Sequence, residues 1–185
     1  VEDHDRGRSR PAYEQALLED LEWLGLVPDL GHSAEYRAGR CEYRQSDRGA
    51  VYERELARLE SEELVFSCDC SRRRLRESAA DLPNVETPYD GRCRERGLAL
   101  ADGRGARVRI QPGMERFADL RLGDRAQDPA AQCGDLLVRD RLGHWTYQFA
   151  ATVDDHVQDV TLVIRGDDLL QSTGRQIQLA QLLGR

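Results

Sequence analysis

Three of the five cysteines fall in one short window, as Cys68-Asp69-Cys70 and then Cys93 at the end of Tyr89-Asp90-Gly91-Arg92-Cys93. Thiols grouped this tightly bind a metal or form a disulfide, and either choice limits what the chain can fold into. In an extended segment residues two apart point to one side, so Cys68 and Cys70 can present both sulfurs to a single ion. Cys93 can add a third thiolate, folded back across an arginine-rich stretch. A structural zinc wants four ligands, and no histidine stands between Cys41 and Cys133 to complete the set. The nearest suitable oxygen donor is Tyr89. Its phenol ordinarily loses its proton only near pH ~10, but a bound dication eases that loss.

Two other readings stand beside zinc: free buried thiols, since cysteine packs as a small hydrophobe, and a disulfide that would strand one of the three. The opening Val1-Glu2-Asp3-His4-Asp5-Arg6 is charged where a secretory leader is apolar, which argues against a secreted disulfide protein. The spacing favours zinc. From Ser71 to Ala106 apolar periodicity is poor and Gly, Pro and Arg are frequent, as in a loop-rich module whose core is too thin to fold without a metal. Cys41 and Cys133 have no local partners and read as core or surface thiols.

With 39% hydrophobic and 33% charged residues in 185, the chain reads as soluble and globular, with room for one domain or two small ones. No apolar run approaches the ~20 residues of a membrane span. The net charge of -7 argues against a generally basic nucleic-acid coat. All 27 basic residues are arginine, so chemistry that needs a lysine must lie outside this chain. Arginines crowd at 72–76, 92–96 and 104–109, and the default for such clusters is a solvated surface.

Periodicity predicts a helix from Pro11 to Leu24, with Tyr13, Leu17, Leu21 and Leu24 as its inward stripe and Gly25 as its stop. A second is expected from Asp47 to Glu62, with Val51, Tyr52, Leu56 and Leu59 inward and Ser46 as cap. Leu64–Phe66, Arg107–Ile110 and Asp135–Arg139 read as strands. A turn at Leu142-Gly143 and a return strand Trp145–Ala150 would make a hairpin. The continuous run Val160-Thr161-Leu162-Val163-Ile164 is typical of a strand buried on both faces. It leads through Arg165-Gly166-Asp167-Asp168 into a helix from Leu169 to Leu183, half of a βαβ unit whose turn is where open parallel sheets bind ligands.

Arg165-Gly166-Asp167-Asp168-Leu169-Leu170-Gln171-Ser172-Thr173-Gly174-Arg175-Gln176-Ile177 resembles the glutamyl-tRNA synthetase group of class I aminoacyl-tRNA synthetases. So do Val1–Arg6, Trp23-Leu24-Gly25-Leu26, Gln45-Ser46-Asp47-Arg48, and Tyr147-Gln148-Phe149-Ala150 followed by Val153-Asp154-Asp155-His156. The matches run in family order over nearly the whole chain. The resemblance implies an α/β fold, a Rossmann-type parallel sheet interrupted by a zinc-containing insertion. Residues 1–65 would be the first part of the catalytic domain, 66–134 the inserted module and 135–185 the return to the catalytic domain.

Two branches of the group compete. One is the full synthetase, which charges the 3′ end of its tRNA. The other is a shortened paralogue without an anticodon-binding domain, which attaches glutamate to the queuosine base in the anticodon of tRNA(Asp). Cys-x-Cys with Tyr-x-x-x-Cys is the zinc set of the paralogue, which makes Cys68, Cys70, Tyr89 and Cys93 the implied ligands. Full synthetases more often place a histidine soon after the third cysteine, where this chain has Arg94 and Glu95. Leu169, where full synthetases commonly carry histidine, and Tyr147-Gln148 also favour the paralogue.

The resemblance further implies ATP with Mg2+ as substrate, a cytoplasmic monomer, and Glu2, Tyr147 and Arg165 around the bound glutamate. Glu2 would face the ammonium, Arg165 would hold a carboxylate through two parallel hydrogen bonds, and Tyr147 would donate its hydroxyl to a substrate oxygen. Read without the resemblance, Tyr147 is a strand core residue and Arg165 a surface ion pair with Asp167 or Asp168. Asp154-Asp155-His156 invites a metal or dyad reading, but in the family it opens a helix, where acids favour the dipole.

Departures from the family also shape expectations. The His-Ile-Gly-His-type motif would precede Val1 and the lysine-containing loop would follow Arg185, so the stretch reads as a fragment not competent for adenylation alone. Glu63 stands where the family usually has glycine. Gly174 replaces a common proline, which should loosen the start of the last helix. The rival of another class is a non-catalytic, zinc-stabilised RNA-binding protein, suited by the arginines near the cysteines.

Overall fold

The computed structural model describes residues 1–5, 7–76 and 87–185. Arg6 of the opening motif and 77–86 of the loop-rich stretch lie outside the described residues. The chain divides into two compact units, Val1–Arg54 and Glu55–Arg185.

In the first unit, α1 (Pro11–Trp23) begins on proline at its first turn, and the chain leaves it through Gly25 at φ 69. The expected inward stripe does not form. Leu18 is buried, whereas Tyr13, Leu17 and Leu24 are exposed. The reason is the small core that α1 meets in this unit. Leu18 packs with Tyr36, on the short helix α2 (Ser33–Ala38), and with Cys41, and Val1 and Tyr43 close over them. Arg44 ties the unit together: it donates to both carboxylate oxygens of Glu14 at 2.7 Å, to Asp47 at 2.8 Å and to the Tyr36 carbonyl at 2.8 Å.

Gln45–Asp47 is a 3-10 turn, and α3 (Gly49–Ser61) follows it. Ser46 is therefore inside a turn and does not cap α3; its amide donates to Asp3 Oδ1 at 2.7 Å. Val1 also accepts from the Gln45 amide at 3.1 Å, so the opening segment docks on the Gln45–Arg48 motif. Along α3, Tyr52, Leu56 and Leu59 are buried as the periodicity requires, and Val51 is half-buried. The helix closes with the Leu64 amide on the Leu59 carbonyl at 2.9 Å, and Glu63 is left-handed at φ 59. A glycine would be free there; a side chain costs about 1 kcal/mol.

The second unit is built on a three-stranded antiparallel sheet. Its order is β1 (Val65–Cys68), β2 (Gly105–Val108), then β5 (Leu136–Arg139), with Phe66 opposite Arg107 and Cys68 opposite Gly105. Between β1 and β2 lies the short helix α4 (Arg72–Arg76). β3 (Glu115–Asp119) and β4 (Gly123–Gln127) form a separate hairpin, and α5 (Pro129–Cys133) leads into β5, capped by Asp128 accepting from the Ala131 amide at 3.0 Å. The expected parallel sheet is not formed among the described residues: every strand pair is antiparallel, and the one parallel element is the isolated bridge between Tyr89 and Gly134.

The hairpin after β5 also differs. Asp140 sets the expected turn by accepting from the Leu142 and His144 amides, but the return is a single bridge at Trp145. From Tyr147 the chain is helical, as α6 (Tyr147–Val157). Phe149, Ala150 and Val153 are its buried face, a helical spacing that outweighs the β-propensity of Trp-Thr-Tyr. Asp154-Asp155-His156 consequently sits in the last turn of α6 and does not open a helix.

Val160–Ile164 is not a buried strand. It has no ladder partner among the described residues, and Leu162, Val163 and Ile164 are exposed, Ile164 at 87%. A 3-10 segment (Asp167–Ser172) and α7 (Thr173–Leu182) complete the chain. α7 packs on α6 with Leu179 fully buried. Gly174 is not a loose point at the start of α7. Its amide donates to Gln127 Oε1 at 2.7 Å, a bond proline could not make, and a Cβ there would fall 2.9 Å from Gln127 Cβ. Among the described residues no helix is long and apolar enough to cross a membrane.

Candidate metal centre and substrate-binding residues

β1 delivers Cys68 at its last position, and the chain continues through Asp69 to Cys70. The Sγ atoms of Cys68, Cys70 and Cys93 all lie within 4.8 Å of one another, and Cys70 and Cys93 are 3.6 Å apart. All three are buried, and all five cysteines are free thiols. Tyr89 is brought to them by backbone pairing: its amide donates to the Cys133 carbonyl at 2.9 Å, beside the bridge to Gly134. Gly134 has φ 63, and a Cβ on it would stand 2.2 Å from the Tyr89 carbonyl oxygen, so only glycine permits this approach. The Tyr89 hydroxyl then accepts from the Cys93 amide at 3.0 Å and lies 3.6 Å from Cys68 Sγ.

These separations fit a tetrahedral ion. Zinc–sulfur bonds of ~2.3 Å at tetrahedral angles put neighbouring sulfurs ~3.8 Å apart, and an oxygen ligand at ~2.0 Å would be ~3.5 Å from a sulfur. Three thiols and a phenol in a buried pocket are the donor set such a centre needs. Cys41 packs with Leu18 and Tyr36, and Cys133 donates its thiol to the Pro129 carbonyl at 3.2 Å; the cysteines that group together among the described residues are Cys68, Cys70 and Cys93.

Without a metal, Cys68, Cys70 and Tyr89 hold their protons unequally. Burial, then the Cys93 thiol, pushes the Cys70 thiol up to about 12. Burial and the neighbouring thiols likewise push the Tyr89 phenol up. Burial opposes ionisation of Cys68 too, but the Tyr89 hydroxyl, the Cys70 amide and the Arg107 guanidinium together bring it below the ordinary thiol value. A dication must therefore displace protons that burial holds on Cys70 and Tyr89.

Around the set stands a shell of arginines that the clusters in the sequence did not distinguish from solvated surface. Arg96 donates to both oxygens of Asp69, at 2.7 and 2.9 Å, and to Cys93 Sγ at 3.3 Å. Its guanidinium holds the Asp69 carboxyl at about 2. Arg94 donates to both oxygens of the buried Asp135 and to the Ile110 carbonyl, joining the cysteine loop to the strand region. Arg107 is buried, with its guanidinium 3.8 Å from the Tyr89 ring centroid. The alternation Arg107-Val108-Arg109-Ile110 carried the signal for this: the arginines share one strand face, opposite the apolar pair.

Of the residues implied for glutamate, Glu2 is exposed in the first unit, and Tyr147 and Arg165 lie in the second. Tyr147 is half-buried at the first position of α6, where the sequence placed it on a strand. Arg165 follows the exposed apolar segment and is held by neutral groups: it donates to the Gln176 amide oxygen and, at 2.6 Å, to Thr173 Oγ1. Among the described residues it makes no ion pair with a carboxylate; Asp167 pairs instead with Arg121 at 3.5 Å. Arg165 lines a cavity of about 610 Å³ with Phe117, Leu122 and Ile177, and Tyr147 does not line it. A braced guanidinium with no carboxylate, at the rim of a cavity, can receive an anionic substrate group.

Over residues 1–185 the sequence matches the family described as tRNA synthetases class I (E and Q), catalytic domain. It is 40% identical over 187 residues to glutamyl-Q tRNA(Asp) synthetase of Bordetella bronchiseptica, covering 100% of this chain and 56% of that protein. It is 36% identical over 193 residues to glutamate–tRNA ligase 2 of Alkalilimnicola ehrlichii, covering 99% of this chain and 40% of that protein. Its backbone follows the crystal structure of glutamate-tRNA synthetase from Elizabethkingia anophelis with a TM-score of 0.79 at 24% identity, over 100% of this chain and 40% of that one. The fold is shared, and the chain spans about half the length of the curated relatives it matches.

Proposed function

Because the chain belongs to the catalytic-domain family of class I tRNA synthetases for glutamate and glutamine, we propose that it is the glutamate-activating part of an enzyme acting on tRNA(Asp). The enzyme uses ATP with Mg2+ to form glutamyl-adenylate and passes the glutamyl group to the queuosine base in the anticodon. The glutamate α-carboxylate attacks the α-phosphorus of ATP and pyrophosphate leaves; acyl transfer to the RNA then releases AMP. Arg165 holds a substrate carboxylate, Tyr147 donates its hydroxyl to a substrate oxygen and Glu2 meets the ammonium. Their work is positioning and charge stabilisation.

Tyr89 is the observation that carries the choice of acceptor. Its hydroxyl stands as fourth donor beside Cys68, Cys70 and Cys93, the set the resemblance assigns to the shortened paralogue. The relative from Bordetella bronchiseptica supports the same acceptor through its name. In this reading the four residues hold a structural zinc, which joins the loop after β1 to the loop before β2 and takes no part in the chemistry. The protein works in the cytoplasm. A second reading, charging of tRNA(Glu), is favoured by the similarity to glutamate–tRNA ligase 2 proteins. Transfer of labelled glutamate by the full-length protein to queuosine-containing tRNA(Asp), compared with tRNA(Glu), separates the two.

A further inference from the structure

Arg107 lies on the central strand of the three-stranded sheet and is 6% exposed. A guanidinium taken this far from water is costly unless an anion compensates it. No carboxylate among the described residues does so. Its hydrogen-bond partner is neutral, the Asp135 carbonyl, which accepts from Nη1 at 2.6 Å. Its Nε is buried without a hydrogen-bond partner among the described residues. Its face lies on the Tyr89 ring, 3.8 Å from the centroid. Among the described residues the thiol cluster is close by: the Tyr89 ring under the guanidinium carries the hydroxyl that lies 3.6 Å from Cys68 Sγ.

The cluster has the complementary need. Three thiolates and a phenolate carry more negative charge than one dication neutralises, in a pocket closed to solvent. Two further arginines near the thiols are already matched by carboxylates, Arg96 by both oxygens of Asp69 and Arg92 by both oxygens of Asp90. We propose that Arg107 is a positioning residue of the metal centre, balancing its anionic ligand shell and seating the Tyr89 ring so that the hydroxyl faces Cys68. This rests on the zinc reading of Cys68, Cys70, Tyr89 and Cys93. It assigns the buried arginine a reason that the strand it occupies does not supply. It also explains why the phenol is held by a stacked planar cation while its hydroxyl is fixed from the other end by the Cys93 amide.

The test is zinc affinity of the full-length protein, measured by competition with a chromogenic chelator, for wild type, Arg107→Lys and Arg107→Gln. Glutamine can keep a donor to the Asp135 carbonyl but loses the charge, and affinity is expected to fall on the order of 10–100-fold, as for other groups that support metal ligands. Lysine keeps the charge without the plate that seats Tyr89 and is expected to lose less, on the order of threefold. The cobalt-substituted protein should show the same order in the intensity of its tetrahedral absorption bands. Any folded variant that binds zinc as tightly as wild type overturns the proposal, as does equal loss in the two variants. Arg107→Lys decides the matter if Arg107→Gln does not fold. A wild-type protein that takes up no zinc would instead remove the metal reading itself.

Discussion

The Tyr89 hydroxyl stands 3.6 Å from Cys68 Sγ, the separation that an oxygen and a sulfur bound to one tetrahedral ion would keep. Twenty-one positions of chain separate the two residues, and two sheet-edge features close that distance. β1 ends on Cys68, and the Tyr89 backbone is pinned between Cys133 and Gly134.

Tyr89→Phe keeps the ring between Phe66 and Arg107 and removes only the oxygen. Wild type should carry one zinc per chain by elemental analysis. The phenylalanine variant should bind it on the order of 100-fold more weakly in a chelator competition, with water as the replacement ligand. Cys68→Ser with Cys70→Ser should abolish binding.

The metal-free protein should lose stability at alkaline pH. Cys70 in the folded chain titrates at about 12 against an ordinary 9.0, so folding favours its protonated form. Its contribution is complete below pH 9 and is lost as pH rises towards 12. Urea midpoints with a chelator present should fall across that window. Zinc binding runs the other way: it releases protons from Cys70 and Tyr89, so apparent affinity should weaken as pH falls.

Asp135 accepts from Arg94, through both carboxylate oxygens, and from the Ile110 amide at 3.2 Å, and is itself 4% exposed. Asp135→Ala strands a guanidinium and a buried N–H together. Unfolding should cost about 2–3 kcal/mol less than in wild type, below the full value for a buried pair because the Arg94 side chain is 35% exposed. Denaturant unfolding of the zinc-loaded protein measures it.

Arg165→Ala should weaken glutamate binding by the full-length enzyme on the order of 100-fold, by loss of two charge-assisted hydrogen bonds. Arg165→Lys should recover little, because an ammonium cannot make both. Calorimetric titration with glutamate in the absence of tRNA reads this directly.

Much of this was legible in the sequence, and the failures share a cause. The cysteine window predicted a convergent donor set because Cys-x-Cys on an extended chain fixes two sulfurs by local geometry alone. Glu63 was legible only through the resemblance, which places a glycine at that helix end, and its backbone is left-handed at φ 59. Val160–Ile164 was misread because a run of β-branched residues says that a segment suits a sheet, not that a neighbouring strand is there to pair with it. Trp145–Ala150 was misread because its aromatic residues suit a strand over six positions, whereas Phe149, Ala150 and Val153 reveal a helix only over a longer window. Arg107 was lost in a cluster that looks like surface, since its burial depends on Phe66 across the sheet and Tyr89 from the far side of the module.

Glutamate transfer tests the functional account most directly. The full-length protein, given ATP, Mg2+ and labelled glutamate, should label tRNA(Asp) that carries queuosine and leave both tRNA(Glu) and queuosine-free tRNA(Asp) unlabelled. Stable charging of tRNA(Glu), with no label on queuosine-containing tRNA(Asp), would contradict it.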